Sequence, residues 1–242
     1  ATATATATAT VRQTAGDTMA HEQLGLSNDE LLSTTRAVRK RLDFEREVPM
    51  SVIKECMELA VQAPTGSNAQ GWQFMFVTDP EKRAKIGAFY QQAFSIYRDM
   101  PVAIHKLHAD SGDSDLTASQ ARSASSADFL ADHIGEVPVL MIPSIAGRTD
   151  NEAGMNIISQ TGTLGSIIPA AWNFMLAARA RGLGTAWTTL HLMFEKEVAE
   201  ILEIPFEDVM QIALIPIAYT KGTSFKPAYR PPVETVMHVD RW

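Results

Sequence analysis

The chain has 242 residues and a net charge of −7, from 21 Lys and Arg against 28 Asp and Glu. With 45% apolar and 20% charged residues, it has the composition of a globular protein with a sizeable core, which excludes a collagen-like, disulfide-stapled or disordered chain. The acidic balance argues against nucleic acid as a main partner, because phosphate neutralisation needs a clustered surplus of Lys and Arg, yet it leaves room for a local basic pocket.

Residues 1–10 alternate strictly between Ala and Thr, and residues 1–26 read as a flexible N-terminal segment, in part artefactual, outside the fold. Ser27 with Glu30 three residues on has capping-box spacing and opens a short helix to Leu32. Arg36, Arg39, Lys40 and Arg41 then put four cations within six residues. They form either a solvated basic turn or an anion site, since the planar fork of Arg matches phosphate oxygens. Pro49 to Ala63 reads as a helix with Val52, Ile53, Cys56, Met57 and Ala60 at helical spacing. The lone cysteine, Cys56, reads as a small buried hydrophobe rather than a reactive thiol, and a reducing cytoplasm suits it.

The stretch from Ala63 to Trp72 carries Thr65, Ser67, Asn68 and Gln70 among small residues, so a ligand can approach its backbone closely. Gln73–Thr78 reads as a strand, and Glu81–Met100 as a helix. Asp110–Ser126, rich in Ser, Asp and Ala, reads as a mobile excursion before a short helix at Phe129–Ile134. Val137–Ile145 reads as a strand with Pro138 and Pro143 at its ends or on an edge. Thr163–Arg181 is the longest helical pattern, and Gly182 is placed to cap it. Thr185–Leu190 reads as a strand, Glu195–Leu202 as a helix, and Val209–Tyr219 as one strand with Pro216 at an edge or bulge. The tail, with Pro227, Pro231 and Pro232, is extended. About six helices and four strands without a βαβ repeat indicate one α+β domain over residues 27–242. No apolar run is long enough for a membrane span, no secretory signal is evident, and a cytoplasmic protein is expected. His105 and His108 have ligand-like spacing without an acidic or Cys partner, so no metal is expected.

Four segments together resemble the FMN-dependent nitroreductase family, of an actinobacterial NAD(P)H type. They are TTRAVRKRLDF at 34–44, APTGSNAQGWQFMFV at 63–77, GTLGSIIPAAWNFMLAARARGLGTAWTT at 162–189 and the tail from 215 to 242. The resemblance implies a central, mostly antiparallel sheet flanked by helices, and a homodimer whose tails extend to the partner. It implies FMN bound by Arg36, Ala37, Val38, Arg39 and Arg41, by Ser67, Asn68 and Gln70, by Thr188, Thr189 and Leu190 beside the flavin N5, and by Arg230 on the phosphate. NADPH or NADH would be the hydride donor. The acceptor would be a nitroaromatic or quinone, reduced by ping-pong transfer with no side chain as essential acid or base. Residues 95–135 would form the lid, where Trp72, Phe94, Tyr97 and Phe129 are candidates for stacking on substrate, with ordinary core packing the competing reading. The chain departs from the family at Ala37 and Gly71, where Ser and Pro are usual. It departs again at Thr189, where some members have Glu, and at Ala228, for which Lys226 is the available substitute. Reductive dehalogenation, flavin-ring cleavage or flavin binding without turnover are the alternatives.

Overall fold

The computed structural model describes residues 21–107, 112–151 and 156–242. The Ala-Thr repeat and His108 lie outside them. Six helices, α1 (Asn28–Thr34), α2 (Met50–Ala60), α3 (Pro80–Asp99), α4 (Ser114–His133), α5 (Ile157–Ala180) and α6 (Glu195–Leu202), surround five strands. The strands are β1 (Trp72–Val77), β2 (Val139–Ala146), β3 (Leu183–Thr185), β4 (Val209–Gln211) and β5 (Ile215–Tyr219). They form one antiparallel sheet in the order β1-β2-β5-β3, with β4 also on β2. Among the described residues, no helix is long and apolar enough to cross a membrane.

Both faces of the sheet are covered, so the central strands are apolar throughout and their alternation sorts side chains between two cores. Val139 and Met141 of β2, with Ile215 and Ile217 of β5, pack against Val52, Ile53 and Cys56 of α2 and Phe174 and Met175 of α5. Leu140 and Ile142, with Leu214 and Ala218, face Ile86 and Tyr90 of α3, Leu130 of α4 and Val198 of α6. Cys56 is fully buried and free, and burial pushes its thiol up to about 12, as a structural cysteine requires.

Several helix ends follow their sequence signals. Ser27 and Glu30 complete the capping box of α1, the Asp79 side chain accepts from Lys82 N–H at the start of α3, and Gly182 caps α5 at φ +77°. Four readings are corrected. The excursion expected from Asp110 to Ser126 becomes α4 from Ser114 onward, capped by Asp113; its Ala and Ser residues lack an apolar stripe but do not prevent helix. The single strand expected over Val209–Tyr219 is two, β4 on one part of β2 and β5 on another. The strand expected at Thr185–Leu190 is Leu183–Thr185, followed by one bridge between Thr188 and Leu214. Pro216 is on no edge, since β5 lies between β2 and β3. It falls between the Thr185–Ile217 pair and the Thr188–Leu214 bridge, where the ladder is interrupted and no donor is required. Pro143 likewise falls between the stretches of β2 that pair with β5 and with β4.

Residues 21–26, grouped in sequence with a flexible segment, are tied to the body: Leu24 N–H donates to Ala180 O at 2.8 Å. The free edge of β3 is closed by residues 37–38, through a parallel bridge from Ala37 to Thr185 and a Val38 N–H to Thr185 O bond of 2.8 Å. This approach requires Gly184, because a Cβ there would stand 2.7 Å from Thr220 Cγ2 and 2.9 Å from Val38 Cβ. Gly184→Ala is expected to lower stability by about 1–3 kcal/mol through overpacking, read as a fall in the urea midpoint; an unchanged midpoint would show that the segment yields freely.

Candidate functional site

Closing the edge of β3 fixes the basic segment, with Val38 and Leu42 buried beneath it. Arg36 and Ala37 are exposed and Arg39 is half-buried. Arg41 is spent on the tail: its Nε donates to Lys221 O at 3.0 Å, Nη1 to Ser224 O at 2.9 Å and Nη2 to Gly222 O, and its guanidinium lies 4.1 Å from the Phe225 ring centre. Arg36 Nη1 donates to Lys226 O at 2.8 Å. Segment 36–41 and Ser224–Lys226 thereby enclose a recess of about 340 Å³ whose lining carries five cations, Arg36, Arg39, Lys40, Arg41 and Lys226, and no carboxylate.

Burial draws the Arg39 pKa below its ordinary value, with Tyr90 opposing. It stays cationic, and its Nη1 meets only a neutral hydroxyl, Ser126 Oγ at 3.1 Å. A half-buried cation without a counter-charge favours an incoming anion. The buried Tyr90 hydroxyl has its pKa raised by burial, against the pull of Thr188 and Arg39, so these three polar groups converge beside the recess. Helical spacing alone sets Tyr90 on the apolar face of α3, and its polar tip is the one signal of a further role.

Arg179, in the last turn of α5, was also missed. It is 4% exposed, its Nη2 donates to Thr34 Oγ1 at 3.3 Å, and its Nε and Nη1 have no partner. Its guanidinium is 4.9 Å from the centre of the same Phe225 ring, and burial together with Arg41 lowers its pKa. Nothing in the pattern ARARG distinguishes it from a solvated helix-end cation.

The other predicted contacts are not all brought here. Thr188 N–H and Oγ1–H both donate to Leu214 O, at 3.2 and 2.6 Å, so the Thr188 amide is already engaged, while Thr189 is exposed. Arg230 is exposed, outside the recess, with Nη1 on Tyr229 O at 2.7 Å; Lys226 is the tail cation that lines it. Ser67, Asn68 and Gln70 stand elsewhere, with left-handed φ of 53°, 52° and 49°. Such backbone is costly for Ser and Gln, and clusters of it mark ligand-binding loops. Their loop is pinned to α5 by the Gly66 N–H to Ser166 Oγ bond of 3.0 Å. Ser166 and Arg179 are thirteen residues apart on α5, about 20 Å at 1.5 Å per residue, so this loop and the basic recess occupy opposite halves of that helix.

Of the four stacking candidates, Phe94 is buried in the core with Tyr90, and the Tyr97 hydroxyl accepts from Ile104 N–H at 2.5 Å. Phe129 stacks on Phe44 with centroids 6.2 Å apart. Trp72 belongs to a separate cluster with Ile145, Ile167 and Met210. For Phe94 core packing is the outcome, and Trp72 does not join the other three. Among the described residues, no cluster of His, Cys, Asp and Glu could hold a metal.

A family model, that of the Nitroreductase family, matches residues 32–219. The chain belongs to this family. Membership supports an oxidoreductase that works with a flavin. A curated relative, a "putative NADH dehydrogenase/NAD(P)H nitroreductase" from Methanothermobacter thermautotrophicus, is 24% identical over 88% of this chain and 86% of its own length. Among solved structures, a BluB-like flavoprotein from Clostridium difficile 630 is similar with a TM-score of 0.64 and 18% identity, covering 90% of this chain and 100% of that one. Oxidized iodotyrosine deiodinase bound to FMN and 3-iodo-L-tyrosine is similar with a TM-score of 0.61 and 19% identity, covering 88% and 96%. These likenesses show the fold: α+β, with a central antiparallel sheet flanked by helices.

One buried group in this nitroreductase-family chain makes stability depend on pH. His191, directly after the 188–190 segment, is fully buried, and burial pushes its pKa down to about 3 against the opposing pull of Gln211. The unfolded chain therefore binds the proton first, and stability falls as pH drops below about 6.5, by up to about 1.4 kcal/mol per unit. Urea unfolding at pH 7 and pH 5 should show a loss of about 2 kcal/mol that His191→Leu abolishes; an equal loss in the variant would assign the acid sensitivity elsewhere.

Proposed function

We propose that this nitroreductase-family protein is an FMN-dependent NAD(P)H oxidoreductase that reduces nitroaromatic or quinone acceptors by ping-pong hydride transfer. The observation that carries the reading is the recess with five cations and no carboxylate, held against the edge of β3. It fits a flavin mononucleotide: unopposed guanidinium and ammonium donors suit a phosphate, and Arg39, Tyr90 and Thr188 supply polar partners beside it. Arg36 and Lys226 would take the phosphate. Arg39 would face the ribityl chain and the pyrimidine edge, where its positive charge stabilises negative charge on that edge. Thr189 and Leu190 follow the Thr188–Leu214 bridge, and their amides are the ones offered toward the ring. FMN, when bound, supplies the hydride chemistry, and no side chain is assigned as essential acid or base.

The loop at Ser67, Asn68 and Gln70 enters through a second copy of the chain. Pinned to α5 about 20 Å along the helix from Arg179, it would reach the site of a partner rather than its own. Ile157, Ile158, Ile168 and Trp172 of α5 are exposed, as are Val236, Met237, Val239 and Trp242 of the tail, and both patches suit coverage by that partner.

The first test is the visible spectrum of the purified protein before and after anaerobic NADPH, then NADH. A yellow protein that bleaches is expected; a colourless protein that FMN cannot reconstitute would overturn the reading. Arg39→Ala should weaken FMN binding by about 10–100-fold, the worth of a charged hydrogen bond. Co-expressing differently tagged Arg39→Ala and Asn68→Ala chains tests the shared site. The isolated heterodimer should regain one intact site, whereas sites built within single chains would leave both defective.

A further inference from the structure

A second group of reactive side chains lies away from the recess, where residues 21–24 cross the start of α2. Ser51 and Glu55 stand four residues apart on one face of α2. His21 bridges them: its Nε2 is 3.2 Å from Ser51 Oγ and its Nδ1 is 2.7 Å from Glu55 Oε1. Glu55 is held from two further directions, accepting from His21 N–H at 3.1 Å and from Arg181 Nε at 3.0 Å. Partial burial raises its pKa, but the hydrogen bonds from His21 and Arg181 prevail and pull the carboxyl down to about 2.

An ionised carboxylate only accepts hydrogen bonds. His21 Nδ1 is therefore the donor to Glu55, and in the neutral form of the ring this leaves the Nε2 lone pair facing the Ser51 hydroxyl. This is the arrangement of an activated nucleophile: hydroxyl, base, and a third group orienting the base. Ser51 is exposed and opens onto a recess of about 510 Å³ lined also by Lys54, Glu55, Glu58, Leu59, Gln62 and Arg181. Lys54 is one turn further along α2, and the first-turn amides of that helix have no side-chain cap because Pro49 precedes them.

We propose that Ser51, His21 and Glu55 form a hydrolytic centre that cleaves short-chain acyl esters, separate from the reductase chemistry. Ser51 Oγ bonds to the acyl carbon as its proton passes to His21 Nε2. The ester C–O bond breaks, and His21 returns the proton to the leaving alkoxide. Water, deprotonated by the same nitrogen, then bonds to the acyl carbon; the bond to Ser51 Oγ breaks and His21 returns the proton to that oxygen, so that ester and water give acid and alcohol. Glu55 is a positioning residue. Lys54, which lines the same recess, would stabilise the oxygen that becomes negative.

The test is hydrolysis of 4-methylumbelliferyl acetate by the purified protein without NAD(P)H, together with labelling by a fluorophosphonate and mapping of the modified peptide. Labelling should fall on Ser51. Ser51→Ala should lower turnover at least 100-fold while flavin content and NAD(P)H oxidation stay unchanged, since Ser51 is not part of the proposed flavin site. Glu55→Gln should lower kcat more than it changes KM. Ester turnover unchanged in Ser51→Ala, or labelling no faster at Ser51 than at the exposed Ser67, would overturn the proposal and leave the triplet as a clamp on residues 21–24. Because these readouts need no flavin, failure of the flavin reading would not alter them.

Discussion

The approach of residues 37–38 to the edge of β3 is the constraint on which the candidate site depends. One backbone bond to Thr185 and one missing Cβ at Gly184 set the spacing. Everything basic follows from it. Val38 and Leu42 are drawn into the core, and the residues between and before them are turned outward as cations. The same contact covers an exposed sheet edge, which would otherwise present unpaired backbone groups. Site formation and edge protection are one structural event here.

Concentrated positive charge has to be tolerated before a ligand arrives. Arg41 achieves this by donating to three carbonyls of the tail turn at 221–224, groups whose dipoles offset its charge. Phe225 gives two guanidinium groups, Arg41 and Arg179, a ring to lie against. Arg179 nevertheless keeps two buried nitrogens without a partner among the described residues, and unpaired buried donors cost stability. The recess is thus a region where the fold accepts local electrostatic strain, a pattern associated with binding sites.

Much of the fold was legible because its signals are local. The capping box at Ser27 and the Gly182 cap were each written in neighbouring residues. α4 was not legible, because a stretch of Ala and Ser has helical propensity without an apolar stripe, and its docking depends on other elements. Pro143 and Pro216 misled for a related reason: whether a proline interrupts a ladder depends on which neighbour its backbone faces, a tertiary fact. In the site, the cation cluster and the polar loop were visible as composition. The unpartnered Arg179, the convergence of Arg39, Tyr90 and Thr188, and the exclusion of Arg230 from the recess arise only from packing. The fold that the family resemblance implied is the one observed, and that resemblance carried more than spacing could.

The two hydrogen bonds from the basic segment to α4, Arg39 to Ser126 and Lys40 to Ser125 at 2.7 Å, give this helix a second meaning. They spend donors of the recess on a neighbouring helix. Any anion that takes these donors competes with the docking of α4, so occupancy and helix position are linked equilibria, each altering the other by the same free energy. A neutral serine hydroxyl is a weak rival to a phosphate for such donors. Such contacts yield more readily to a charged ligand than to a neutral one, so the charge of a ligand and the position of α4 are tied together.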